Sequence, residues 1–183
     1  MSAASIAARI RPYAPYALLF LGMAVAIGAY LQGLYYPFLS DDYTYIIGNA
    51  KLSGLHAPQL WRLLVEPFNS FEFLPLRDFS YWLDIKLFGL SGTAFRIHNI
   101  FLYILCCLLV YVTTLTIWRY FCPGREKDAP WAAASVAALF AIHPAHVEAV
   151  VWVSGRKDLL SGMFALLALW LALNVKRESG FSA

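Results

Sequence analysis

From Tyr13 to Ser40 the chain carries no charge, and the centre of this run, YALLFLGMAVAIGAYLQGLYY, is long enough for one membrane helix. Roughly 20 apolar residues cross the hydrocarbon core of a bilayer. The apolar core of a cleavable leader is shorter, about 7–15 residues, so the pattern predicts a retained anchor. A second run, IFLYILCCLLVYVTTLTIW, covers Ile100 to Trp118 and gives way to the polar stretch RYFCPGREKDAP. A third, Trp131 to Ile142, is short for a crossing and stops at His143 and Pro144. It either tilts, thins the bilayer, or continues through AHVEAVVWV as a broken helix. A fourth, LLSGMFALLALWLALNV, covers Leu159 to Val175. The pattern predicts an all-α membrane protein with one membrane domain over 1–183. Its spans fall near 13–36, 100–118, 131–153 (short or broken) and 159–175, with a long loop over 37–99.

The loop has periodicity of its own. In FLPLRDFSYWLDIKLFGLSG, Leu76, Phe79, Leu83 and Leu87 recur at helical spacing, and Arg77, Asp78, Asp84 and Lys86 take the remaining face. This predicts an amphipathic helix in the interface plane, stopped by Gly89. APQLWRLLVEPF reads as a shorter helix of the same kind, ended by Pro67. Such helices either roof a cavity or simply anchor the loop.

Composition supports the membrane reading. Hydrophobic residues make up 61% and charged residues 14% of the 183, whereas a soluble domain carries about a quarter charged. The aromatic share of 16% fits Trp and Tyr at bilayer interfaces. A net charge of +3, with no basic block interleaved with aromatics, excludes nucleic acid as a partner. Cys106, Cys107 and Cys122 lack a CxxC spacing and read as apolar filler.

Charge distribution adds orientation. Arg9 and Arg11, then Arg119, Arg125 and Lys127, then Lys176 and Arg177 fall on one side if four spans alternate. Lys and Arg favour the cytoplasm, so both termini are expected there, with loop 37–99 periplasmic or luminal and the inner membrane as the site in a bacterium. The opposite side then holds eight of the eleven acids and all four histidines, His56, His98, His143 and His146.

Two stretches there carry candidate chemistry. Asp41 and Asp42 follow the first span directly. They read either as a helix N-cap with Ser40 or as a carboxylate pair serving as general base or cation ligand. HPAHVEAVVWVSGRKD gathers His143, His146, Glu148, Arg156 and Lys157 before the last span. The cations read either as snorkelling to lipid phosphates or as a phosphate site. His143 reads as a cap or a satisfied interface histidine, or as part of that site.

FLSDDYTYI, FLPLRDFSYWLDIKLFGLSGTAFRIHNIFLYILCCLLVY and ALFAIHPAHVEAVVWVSGRKDLLSGMFALLAL occur in this order. In that combination the chain resembles the amino-terminal half of the transmembrane and tetratricopeptide-repeat O-mannosyltransferases and their bacterial relatives. These are C-type membrane glycosyltransferases. The likeness covers roughly Phe38 to Leu169. It implies a many-helix membrane fold, a sugar donor carried on polyprenyl or dolichyl phosphate, and transfer at the outer or luminal face. By position Asp41 and Asp42 inherit the role of base. Arg77, Asp78, His143, His146, Glu148, Arg156 and Lys157 are expected on the substrate, with Arg156 and Lys157 at the donor phosphate. The family leaves a divalent cation open, and no metal ligand is assigned.

The family's shared module has about seven helices, and no 34-residue repeat period is found here. The chain is therefore expected to be a half that pairs with another membrane subunit, a non-catalytic accessory subunit of a larger membrane complex, or a truncated product, in each case not turning over alone. Membrane lipid is the other expected partner. A channel or transporter is disfavoured, because the spans hold no charged residue to line a path.

Overall fold

The computed structural model describes residues 13–68 and 72–178. Among these residues every regular element is helical. The main helices are α1 (Ala14–Leu31), α2 (Ala50–Ser53), α3 (Pro75–Phe88), α4 (Gly92–Phe121), α5 (Ala129–Ala141), α6 (Val147–Val151) and α7 (Arg156–Glu178). Short helical turns link them, including a π-helical turn at Tyr43–Ile47 and 3-10 turns at Ala57–Leu64 and Val153–Gly155. Three helical segments are long and apolar enough to cross a membrane: Ala14–Tyr35, Gly92–Phe121 and Val153–Val175. Glu126–Ala141 with Pro144–Val151 makes a fourth if the broken pair is counted as one span. The chain is an integral membrane protein. Arg9 and Arg11 lie outside the described residues, as do the side chains of Lys176 and Arg177.

The residues divide into two compact units. One comprises residues up to Ala29, Ile104–Pro144 and Gly162 onward. It is packed on small side chains. Ala129, Ala133, Ala134, Ala137 and Ala141 are fully buried, and a Cβ at Gly22 would come within 2.8 Å of the Ala138 Cβ. With apolar lipid outside, close van der Waals fit rather than hydrophobic exclusion holds such helices together.

The other unit comprises Tyr30–Tyr103 and Ala145–Ser161. Its core is formed by Ile46, Leu52, Leu55, Leu63, Phe68, Tyr81, Trp82, Phe95 and Val153. Trp82 enters it with its indole N–H donated to the Leu55 carbonyl at 2.9 Å, so burial leaves no orphaned donor. Local signals set the elements. The Asn49 side chain accepts from the Leu52 N–H and starts α2. Pro75 begins α3, where a missing N–H costs nothing. Gly89, at φ +68°, ends it.

The sequence expectation of an interfacial helix left open which face of α3 meets the rest of the protein. Arg77, Asp78, Ser80, Tyr81, Trp82 and Asp84 are buried, while Leu76, Phe79 and Leu87 are exposed. Arg77, Asp78 and Asp84 of the charged face point into the unit beside Tyr81 and Trp82, while Leu76, Phe79 and Leu87 point away from it. In a membrane protein the surrounding medium is itself apolar, so charged side chains gain most by pairing inside the protein.

Candidate functional site

All of the site lies in this second unit. It begins with Asp42, which is fully buried. Its Oδ1 accepts from the Ser154 N–H at 2.9 Å and from the Ser154 hydroxyl at 2.6 Å. Its Oδ2 accepts from the Leu39 N–H at 2.9 Å. The carboxylate thus ties the end of the first apolar run to the segment just before α7. Asp41 is half-buried and accepts from the Ser40 hydroxyl at 3.1 Å. Ser40 itself sits at φ +40°, a conformation that L-residues other than Gly, Asn and Asp seldom adopt. The two neighbouring acids are therefore separated in role: one is locked inside, the other stands at the surface of a strained turn.

Arg96, near the start of α4, staples the same region. It donates from Nε to the Val151 carbonyl at 2.9 Å, from Nη1 to Tyr36 at 2.6 Å and from Nη2 to Pro37 at 2.7 Å. Asn99, one turn on, donates to the Val150 and Trp152 carbonyls. Gly155 allows the turn between α6 and α7 to close, because a Cβ there would meet the Glu148 carbonyl oxygen at 2.7 Å.

Arg156 is fully buried. Its Nε donates to Asn99 Oδ1 at 2.7 Å, its Nη1 to Ser80 Oγ at 3.2 Å and its Nη2 to the Phe95 carbonyl at 2.9 Å. The Asp84 carboxylate lies 2.6 Å from Nη1, and the guanidinium covers the Tyr81 ring at 4.9 Å. These partners bind the donors that would otherwise meet a phosphate.

Arg77 also lies against the Tyr81 ring, 5.6 Å from its centroid. It bonds Asp78 at 2.9 Å and also pairs with Glu72. Glu72 in turn accepts from Lys157 at 2.8 Å. The Lys157 side chain keeps about a third of its surface open, against none for Arg156. The hydrogen bonds from Lys157 and Arg77 hold the Glu72 carboxyl below its ordinary value. Burial pushes the Asp78 carboxyl up, with Arg77 pulling the other way. Burial works against the charge of Arg77, yet its carboxylate neighbours outweigh it and raise its pKa. Burial also raises the Tyr81 phenol, which donates to the Val153 carbonyl at 3.1 Å.

The structure thus brings Asp42, Arg77, Asp78, Arg156 and Lys157 into one network. His143 and Glu148 are exposed. His146 is half-buried, its ring 5.5 Å from that of Tyr103. Sequence reasoning gave no role to Glu72, Asp84, Arg96, Asn99 or Ser154, although all five hold the network together. Three of them, Asp84, Arg96 and Asn99, were visible as polar residues in otherwise apolar helical stretches. Among the described residues no cluster of three or more His, Cys, Asp and Glu has the arrangement to hold a metal ion.

No family model matches the chain, and no solved structure matches it. Curated proteins do. The chain is 30% identical over 156 residues to a protein O-mannosyl-transferase of Caenorhabditis elegans, covering 81% of this chain and 22% of that protein. It is 30% identical over 152 residues to one of Drosophila melanogaster, covering 79% and 17%. It is 30% identical over 181 residues to one of Homo sapiens, covering 93% and 19%. Over most of its length the chain resembles this family of O-mannosyltransferases, and it spans about a fifth of the length of these relatives.

Proposed function

We propose that the chain forms part of a glycosyltransferase site that takes a sugar, mannose by analogy with the names of its relatives, from a polyprenyl-phosphate carrier to a hydroxyl acceptor at the outer face of the membrane. One observation carries the reading. Asp42 and Ser154, 112 residues apart in sequence, share a hydrogen bond of 2.6 Å, so the acidic pair and the GRKD stretch meet in one place. The roles then divide by exposure. Asp41, half-exposed, takes the proton of the acceptor hydroxyl as it attacks the sugar's anomeric carbon. Asp42 is a positioning residue that fixes the turn carrying Asp41. Lys157 exchanges Glu72 for the donor phosphate and offsets its charge as the carrier departs. Arg156 holds Asp84, Ser80 and Asn99 in place and does not touch the donor. His146 and Glu148, in the same unit, line the approach to the site. Further membrane helices, on this or another polypeptide, enclose the carrier's tail, and the chain does not turn over without them.

The test uses native membranes supplied with a polyprenyl-phosphate mannose and a Ser/Thr peptide. A positioned general base contributes about 100-fold or more to rate, so Asp41→Asn is expected to lose transfer by about that factor while still binding donor. Lys157→Ala is expected to lose donor binding. Transfer at the parental rate in Asp41→Asn would remove the assigned base and the reading with it.

A second reading is an accessory subunit whose network only holds its own turns together. The complete internal pairing of Arg156 favours it. Recovery of the tagged chain in stoichiometric amounts with a complex lacking transferase activity, with both variants indifferent, decides for it.

A further inference from the structure

The hydrogen bond between Asp84 and His98 has no part in the mechanism above, yet it lies in a groove. Asp84 Oδ1 is 2.8 Å from His98 Nδ1, and Asp84 Oδ2 is 2.6 Å from Arg156. The Asp84 side chain is buried, whereas that of His98 is 23% exposed. A carboxylate only accepts, so Nδ1 carries the hydrogen, and Nε2 is the polar atom turned to no protein partner among the described residues. Both residues line a groove of about 700 Å³ between α3 and the start of α4, within the size range of sites for small ligands, roughly 300–1,000 Å³. The rest of its wall is mostly apolar, with Leu83, Leu87, Phe88, Ile97 and Phe101. Leu87, Phe88, Ile97 and Phe101 are all more than half exposed.

From this juxtaposition of one tethered imidazole with a long apolar trough, we infer that the groove binds a single-chain anionic lipid from the bilayer, its hydrocarbon along α3 and α4 and its acidic head on His98. The occupant follows from the groove's chemistry. A partner helix would meet an apolar wall and leave the imidazole nitrogen without a bond, a cost that burial imposes on any polar group. A lipid chain matches the wall, and an acidic head brings the proton that turns Nε2 into a donor. The imidazolium then lies between two anions, the head in front and Asp84 behind. Arg156 already balances Asp84 from inside, so the site gains one cation and one anion together. Hydrogen bonds of this charge-assisted kind are the strong ones.

The experiment photolabels the full chain in nanodiscs with diazirine-bearing hexadecyl phosphate, and separately with the matching hexadecanol. Adducts are expected within the stretch Leu83 to Phe101. Leu87→Trp and Ile97→Trp, each filling the trough from a different helix, are expected to abolish labelling by both probes. His98→Leu is expected to reduce labelling by the phosphate about tenfold, as the loss of one charge-assisted hydrogen bond implies. Labelling by hexadecanol should persist in that variant, which also shows that the trough is intact. Absence of adducts between Leu83 and Phe101, equal loss of both probes in His98→Leu, or crosslinking of a Phe101→Cys variant to another polypeptide in native membranes would each overturn the inference. None of these readouts depends on sugar transfer, so the outcome is separable from the function proposed above.

Discussion

Ser154 contributes two of the three hydrogen bonds that Asp42 accepts, one from its N–H and one from its hydroxyl. A buried carboxylate stripped of a donor bears the desolvation cost without the compensation. Ser154→Ala removes the hydroxyl and keeps the N–H. It is expected to lower stability by about 1–3 kcal/mol, read as a reduced unfolding midpoint in mild detergent. An unchanged midpoint would mean that the Asp42–Ser154 contact is not formed. The sequence made Asp42, Arg77, Asp78, Arg156 and Lys157 legible because charge beside an apolar run is conspicuous. Ser154 was silent: one serine among many, its weight coming from a carboxylate 112 residues away. Which acid of the pair faces solvent was equally hidden, since it follows from the strained backbone at Ser40.

At the scale of elements, α3 carries the sharpest lesson. Its helical periodicity was plain in the sequence, and so was its division into apolar and charged faces. The direction of those faces was not. In water the apolar face turns inward, whereas an interfacial helix lays it in lipid, and periodicity alone does not choose between them. Here Arg77, Asp78 and Asp84 turn inward, Arg77 and Asp78 paired with each other and Asp84 balanced by Arg156 from another segment, which no local pattern reports. The segment leading into α3 is tied to α7 through Glu72 and Lys157. Because Glu72 titrates below its ordinary value in the folded chain, the unfolded chain binds its proton more readily. The tether's stability is complete above the usual glutamate range, about pH 4.3, and is lost as pH falls through the lowered value. A partly exposed pair contributes roughly 0.2–1 kcal/mol. The expected outcome is a drop in melting temperature between pH 5 and 3 that is smaller in Glu72→Gln, measured in the same detergent. Equal drops would exclude the tether.

For the whole molecule, the long apolar runs were read directly, since a bilayer's thickness imposes a length that short soluble helices lack. The third run was the ambiguous one, and it proves to be two helical stretches, Glu126–Ala141 and Pro144–Val151. The hydrogen bond between Asp42 and Ser154 has a topological corollary. Exposed residues near each, Ser40 and Glu148, belong to one unit and are expected at the same membrane surface. Ser40→Cys and Glu148→Cys, each made in a Cys122→Ser background, should react with a membrane-impermeant maleimide from the same side of sealed vesicles. That side is expected to be the outer one. Labelling from opposite sides would break the site apart.

The distance along the chain between Asp42 and Ser154 also has a history. Synthesis proceeds at about 5–20 residues per second, so the aspartate emerges some 6–22 seconds before its mate exists. Throughout that interval the carboxylate must stay wet, borrow a proton, or lean on the insertion machinery. The pocket around Asp42 therefore closes only once Ser154 has emerged, well after the first apolar helix has been made.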